Sequence, residues 1–515
     1  MTVLYPENST GRAQPPAHWH RRGWLTRLLA AGAASWAGAL PSALAASRPS
    51  SVTLSTTQEP SSLDPTVDAL AAVGGVVHYN ILEGLTRIEE NGSVSPLLAE
   101  RWNVSPDGLR YSFDLRRGVR FHDGAPFTAD AVRFSFERSA APTSTNKARK
   151  ALFSNIAGIQ ADGPHRLHLA LHHADAQFLF RLGENTAVIL HPQSAGQAAT
   201  QPVGTGPYRL ADWRKGHSLR LVRADAYWGR KPRMDSGTFR FIIEPDEQAA
   251  ALDSGEVDLL FQFATPIVQR FRGNADFQVL VGASSGKAML ALNNRRAPLD
   301  DVRVRRAITH AIDREAFIRR GFDGRGYPIG SHFAPTDAGY LHLESFYPYS
   351  PERARALLAE AGVRAPLHLR CALPSTPYAI TGAPLLVQYL AEVGITLEPV
   401  PMSWKEWLAG PFKGDFDTTF INHIEPMDYL IYTDPEYYFH YDSSAFRELA
   451  ARHAQASNAR QRQQLFARIQ RHLTHDAVNA WVYTPQVGTV VRKGLRGTWV
   501  NYPIVAHDLG AMWWE

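Results

Sequence analysis

Apolar positions along this chain switch between a period of two and a period of three to four, and the switches mark its elements. Between residues 98 and 138, Trp102 and Val104 alternate before Ser105-Pro106-Asp107-Gly108, and Leu109, Tyr111, Phe113 and Leu115 alternate after it. The pattern predicts two strands that each offer one apolar face. Ser, Pro, Asp and Gly suit the four places of a type I turn, because proline pre-sets φ and glycine frees the exit. Arg117-Gly118 breaks the chain again before Val119 and Phe121, and His122-Asp123-Gly124 reads as a further turn rather than a catalytic dyad. Thr128 is the expected cap of a helix that packs Val132 and Phe136 four residues apart. Residues 51–57 alternate as a first strand, followed by a loop with Pro60 and Pro65.

Four histidines, His165, His168, His172 and His173, invite a zinc reading. The alternation of Leu167, Leu169 and Leu171 with them instead predicts a strand with leucine inward and histidine outward. Further on come a strand around Tyr208, a strand at 239–243, a short helix at 245–252 ended by Ser254-Gly255, and a strand starting at Val257. This strand–helix–strand order predicts an α/β layer. Gly282-Ala283-Ser284-Ser285-Gly286 matches G-x-S-x-G, but an extended apolar run from Lys287 to Leu292 follows it where a nucleophile elbow needs a helix. A crossing between domains, with glycines absorbing rotation, is the expectation there.

Asp300 or Asp301 caps a helix whose apolar stripe is Val304, Ala307, Ile308, Ala311 and Ile312, with its arginines expected on the solvated face. Ser350, Pro351 and Gly362 bound the next helix. LHLRCALP, ITGAPLLVQYLAEVG and ITLEPVPM then read as strand, helix and strand, a second α/β layer. Residues 403–442 are the richest in ligand-type side chains: Trp404 and Trp407 near a helix start, a strand at 416–421, and an aromatic loop from Asn422. Aromatic surface with a few polar groups is what a small-molecule pocket needs. Residues 445–476 read as one amphipathic helix with Leu465, Ile469 and Leu473 in register.

At 515 residues the chain is too long for one core, and 44% hydrophobic with 20% charged residues is ordinary globular material. The net charge of +5 is partly local to the N-terminus: setting aside the four arginines and one glutamate of residues 1–45 leaves 50 basic and 48 acidic groups, a net +2. No basic stripe or reading motif accompanies it, so nucleic acid is not an expected partner. Arg21-Arg22, the Ala/Gly/Leu run from Leu28 to Leu40 and Ala43-Leu44-Ala45 read as an export signal over 1–45, resembling the twin-arginine type. An ordinary secretory signal with incidental arginines is the alternative. Ala46 rather than Cys follows the expected cut, so no lipid anchor is implied. The single cysteine, Cys371, excludes an intramolecular disulfide and a cysteine-cluster metal site.

Several separated blocks resemble one family. Trp102, the SPDG turn, Tyr111 to Leu115, LRRGVRFHDG and PFTADAV carry the resemblance first. VGTGPYRLADW, RADAYWGRKPRMD, FRFIIEPDEQAAALDSGEVDLL, PLDDVRVRRAITHAIDRE and YSPERARALLAEAG extend it over nearly all of residues 50–515. The chain is identified as a member of the family 5 extracellular solute-binding proteins, the dipeptide, oligopeptide and nickel binders of ABC importers. That resemblance implies an α/β, two-lobed periplasmic-binding-protein fold with an extra subdomain inserted in the first lobe. The implied division is 46–80 with 200–285 and 486–515 for the first lobe, 81–199 for the inserted subdomain, and 286–485 for the second lobe.

The implied protein is a soluble periplasmic monomer and not an enzyme. It needs no cofactor and no metal, and it delivers a small solute to an inner-membrane permease with its ATPase. A sensor for a membrane receptor and a metal-chelate binder share the fold; a serine hydrolase on Ser284 is the rival from another class. In dipeptide-binding relatives an Asp after the strand matching 416–421 holds the peptide amine, a position that falls here at about Asn422. Their Arg for the peptide carboxylate lies in the loop that here reads Ser375-Thr376-Pro377-Tyr378, without Arg. The expected ligand contacts are Trp404, Asn422, His423, Glu425, Asp428 and Tyr429. Glu425 or Asp428 could replace the missing Asp, and His423 could ligate a metal chelate.

Overall fold

In the computed structural model, the described residues are 50–515 apart from 69, 264–265 and 457–458. The expected export signal lies outside them. Among the described residues no helix is long and apolar enough to cross a membrane.

One strand, Ala480–Arg492, organises the molecule. Its sequence AWVYTPQVGTVVR is rich in β-branched and aromatic residues, and ten of the thirteen are buried. Its first part pairs with Lys287–Leu292 and Gly326–Pro328, and its last part with Leu259–Phe263 and Phe277–Ala283. On the first side the sheet continues through Thr418–His423 and Leu367–Pro374 to the edge strand Ile395–Met402. On the other it continues through Ser51–Thr56, Ser236–Phe241 and Ser218–Arg223 to Tyr208–Arg214. Two α/β halves with separate cores result. Leu290, Leu292, Phe317, Leu386 and Phe420 centre one core, and Leu54, Tyr208, Leu219, Phe239 and Leu509 the other.

A separate four-stranded antiparallel sheet, in the order Ala99–Val104, Arg110–Leu115, Arg166–Leu171, Ile156–Ala161, packs with the helix Ala129–Ala140 around its own core. The turn between its first two strands closes with Gly108 N–H donating to Ser105 C=O at 2.9 Å. Gly108 has φ +70°, where a side chain would be strained. Leu167, Leu169 and Leu171 point inward, and the half-buried His168 bonds Ser112 at 2.9 Å. Thr128 does stand at the N-cap of the 129–140 helix, but its hydroxyl makes no capping hydrogen bond.

Three other expectations are corrected. The single helix over 445–476 is two, Ser444–Ala454 and Ala459–His475. The strand expected at 416–421 runs Thr418–His423, so Asn422 and His423 end a strand rather than begin a loop; pairing of His423 with Lys287 carries it that far. Arg305, expected on a solvated helix face, is buried and donates to the carbonyls of Leu299, Asp300, Asp476 and Ala477. A long side chain can serve chain ends that helical periodicity ignores.

Candidate functional site

The position of the site follows from strand direction. Ser51–Thr56, Ser236–Phe241 and Leu259–Phe263 run parallel, so their carboxyl ends share one edge. Leu367–Pro374, Ile395–Met402 and Thr418–His423 are likewise parallel. In one half Lys287 lies opposite His423 and Ala288 opposite Tyr483; in the other, Phe263 lies opposite Val487 and Ala283 opposite Gln486. Both sets of carboxyl ends therefore point at the same two crossings, 284–286 and 484–486, and face each other across them. In open α/β sheets the crevice at the carboxyl ends is where ligands bind.

The crossings are fastened together. Ser284 Oγ donates to Pro485 C=O at 2.9 Å, Ser285 Oγ to Ile424 C=O at 2.7 Å, and Thr336 Oγ1 to Ser284 C=O at 3.2 Å. Ser284 is thus a buried strut, followed by the strand Lys287–Leu292 and not by a helix. Gly286 lets the Asn422 amide approach closely, since a Cβ there would lie 2.9 Å from Asn422 Oδ1.

Under the crossings lies a buried polar cluster centred on Asp428. Lys287, with no exposed side-chain surface, reaches Asp428 Oδ1 at 3.1 Å and also donates to Glu425 C=O. His332 Nε2 contacts Asp428 Oδ1 at 2.8 Å and His423 Nδ1 contacts Oδ2 at 3.2 Å. Each imidazole has a tyrosine hydroxyl on its far side. Asn479 Nδ2 donates to Tyr432 Oη at 3.0 Å, which leaves that hydroxyl to donate to His332 Nδ1 at 2.9 Å. Tyr438 Oη lies 2.7 Å from His423 Nε2. The ionised carboxylate can only accept, so each imidazole turns an N–H to it.

Burial alone would raise the Asp428 carboxyl. The charge of Lys287 and the hydrogen bonds from His332 and His423 overturn that and hold it well below the usual carboxylate range. Burial pushes His332 down to about 4, so it is neutral beside the ion pair. Asp337, accepting from Ala334 N–H at 2.9 Å, is raised by burial to about 6.

The expected ligand contacts separate into three groups. His423 and Asp428 form the cluster just described. Asn422 and Glu425 lie beside it: Asn422 Oδ1 is buried with no hydrogen-bond partner, and the exposed Glu425 faces Lys147 of the 81–199 segment at 3.7 Å. Trp404 follows the edge strand, held by a capping box between Ser403 and Glu406; it is 47% exposed and stacked on buried Trp407 with ring centroids 4.9 Å apart. Tyr429 turns away from the crevice: its ring packs on Phe333 and Phe466, and its hydroxyl bonds His453 Nδ1 at 2.9 Å.

Lys287 and His332 were not among the expected contacts. A lone lysine opening the apolar run Lys287–Leu292 is the signal that could have marked the first; His332 carries none. The histidines at 165–173 bring no chelating group together. The trio His332, His423 and Asp428, with ligand atoms within 4.8 Å of one another, does so among the described residues. The Lys287 ammonium already provides that trio with a cation. His122 and Asp123 form no dyad: His122 bonds Gly206 C=O at 2.9 Å and Asp123 pairs with His191 at 2.9 Å. Cys371 is buried, its thiol pushed up to about 11.

The chain is similar to known proteins along most of its length. Glutathione-binding protein GsiB of Salmonella choleraesuis is 31% identical over 344 residues, covering 66% of this chain and 65% of that protein. The probable di/tripeptide-binding protein 5 of Pseudomonas aeruginosa is 29% identical over 453 residues, covering 80% of this chain and 85% of that protein. Among solved structures, HbpA2 from Haemophilus parasuis superposes with a TM-score of 0.82 at 21% identity, covering 90% of this chain and all of that one. The periplasmic binding protein DppA from Helicobacter pylori, in complex with peptide STSA, gives 0.72 at 24%, covering 91% and 98%. These likenesses establish the two-lobed periplasmic-binding-protein fold. Residues 93–445 match the model of the bacterial extracellular solute-binding proteins, family 5, middle region. The chain belongs to the family 5 bacterial extracellular solute-binding proteins, a family of binding proteins and not of enzymes.

Proposed function

We propose that this protein is the periplasmic substrate-binding component of an ABC importer. It captures a peptide-like solute between two closing lobes and delivers it to the membrane permease. The observation that carries this is the pair of carboxyl-end edges facing each other across two short, hydrogen-bonded crossings. A solute touching both edges favours the closed arrangement by its differential affinity, and no covalent chemistry is needed. The lobes take residues 46–80, 200–285 and 486–515 on one side and 286–485 on the other, with 81–199 inserted. Trp404, Asn422 and Glu425 contact the solute, while His423 and Asp428 hold the loop that presents it. The matched relatives named for glutathione and for di- or tripeptides support the solute class. Export is through residues 1–45, by the twin-arginine route, and the protein acts as a monomer.

Native mass spectrometry of protein taken from its own periplasm tests the reading: a bound mass of a few hundred daltons that matches a peptide or derivative is expected. Uptake that persists with the partner permease deleted would point to another importer and refute the assignment. A nickel-type chelate is the second reading, favoured by the His332, His423 and Asp428 group. It requires displacement of Lys287 from Asp428, and a metal in the native mass would decide for it.

A further inference from the structure

Among the described residues, six of the ten exposed large apolar side chains come after strands whose carboxyl ends meet at the crossings; Phe346, Tyr349, Leu408 and Phe412 lie elsewhere. Val67 and Leu70 (43% and 45% exposed) lie in the segment leaving the strand Ser51–Thr56, and Ile243 (71%) follows Ser236–Phe241 directly. In the other half Ile380 (59%) follows Leu367–Pro374, Trp404 follows Ile395–Met402, and Ile424 (59%) follows Thr418–His423. Ile243, Trp404 and Ile424 come within two residues of strand ends at the facing edges, so both walls of the crevice carry apolar side chains. Single exposed apolar residues need no explanation, but three of them at the rims of one crevice do. Ile380 also borders a cavity of about 590 Å³ lined by Leu373, Pro374, Val387 and Pro401, space enough for a further apolar group.

Three charged groups beside Asn422 are paired. Lys287 and Asp428 neutralise each other, and Glu425 faces Lys147. Glu244 and Asp246 stand at the start of the helix Pro245–Ser254, where its dipole favours them. Loop 375–378 offers no cation. Asn422 Oδ1 remains, a buried neutral acceptor without a donor. A neutral acceptor suits an amide N–H; a free ammonium needs a carboxylate to offset its desolvation.

We infer that the crevice selects an apolar, peptide-like solute with no free charged termini, seated against Trp404 with an amide N–H on Asn422 Oδ1. The inference rests on the proposed capture of a peptide-like solute and narrows it. It accounts for both departures from the dipeptide-binding pattern, the neutral residue at 422 and the loop at 375–378 without Arg, as one change of ligand chemistry.

Calorimetric titration with four probes tests it: N-acetyl-Leu-Phe-amide, free Leu-Phe, glutathione and Asp-Lys. The capped probe is expected to bind at least tenfold more tightly than free Leu-Phe. Trp404→Ala, at a half-exposed position, should weaken the capped probe by tenfold or more with the melting temperature of the free protein nearly unchanged. Asn422→Asp should reverse the order of capped and free Leu-Phe by supplying the missing anion. Tighter binding of glutathione, Asp-Lys or free Leu-Phe than of the capped probe overturns the apolar selection and leaves peptide capture standing. Binding of none of the four overturns both.

Discussion

Two carboxylates, Glu83 in one half of the molecule and the slightly more exposed Asp428 in the other, titrate in opposite directions. Glu83, 1% exposed, accepts from Thr205 Oγ1 (2.8 Å), Tyr227 Oη (2.9 Å) and Trp228 Nε1 (3.0 Å). Burial outweighs these neutral donors and raises it to about 7. Asp428 has donors too, but one of them is Lys287, and it is held low. Hydrogen bonds alone do not keep a buried carboxylate ionised here; a cation at contact does. The difference matches position. Glu83 ties the 81–199 segment to the Tyr227-Trp228 loop and can spend much of its time as a neutral acid. Asp428 secures the crossings and stays charged, with the Lys287 ammonium 3.1 Å from its carboxylate.

Asp428→Ala breaks this contrast most severely. It strands the Lys287 ammonium in the interior and should cost about 3–5 kcal/mol in urea unfolding, the usual penalty for removing one partner of a buried pair. Lys287→Met should cost less, about 1–3 kcal/mol, since an imidazole can take up a proton in the ammonium's place. His332 is held near 4 mainly by burial and also by the Lys287 charge, so the variant's imidazole is depressed less. A depressed imidazole costs stability as pH falls from its unfolded value towards its folded one. The deficit of Lys287→Met should therefore narrow as pH falls from about 6.5 to 4, as read from urea midpoints; a constant deficit would refute the imidazole's role.

The first carboxylate sharpens the contrast more gently. Tyr227→Phe removes one neutral donor and should cost about 1 kcal/mol by thermal unfolding. Glu83→Gln fits the same donors, with the amide oxygen accepting from Thr205 and Trp228 and its N–H₂ donating to Tyr227. The smallest effect is expected here at pH 5. The wild type, with Glu83 raised to about 7, loses stability as pH rises from 4.5 through 7, and the glutamine does not. The variant should thus gain on the wild type between pH 5 and 8, and parallel pH profiles would count against a protonated Glu83.

Much of the fold was legible because its signals are local. The hairpin over 99–115 is fixed by alternation and by one turn whose four residues are adjacent in sequence. The capping box that holds Trp404 is local in the same way, lying within three residues. The Asp428 cluster could not. Its cation and one of its histidines come from 141 and 96 residues earlier, and no period links them. Tyr429 illustrates the cost: next to Asp428 in sequence it looked like a contact, yet it points into the packing around Phe466. Arg305 was misplaced by the rule that puts charge on the outer face, because the carbonyls that hold it belong to other segments.

The strand Ala480–Arg492 bears on how this molecule comes apart. Because the same thirteen residues complete the sheet in both halves, neither half retains its middle strand if the other is removed. Melting of one half exposes an edge in the other, which couples the two transitions into one. Amide protons at Ala480, Val482, Val490 and Val491 should therefore exchange with a shared free energy. A gene fragment ending before residue 480 should fail to yield a soluble product, even though it contains nearly every contact proposed for the solute.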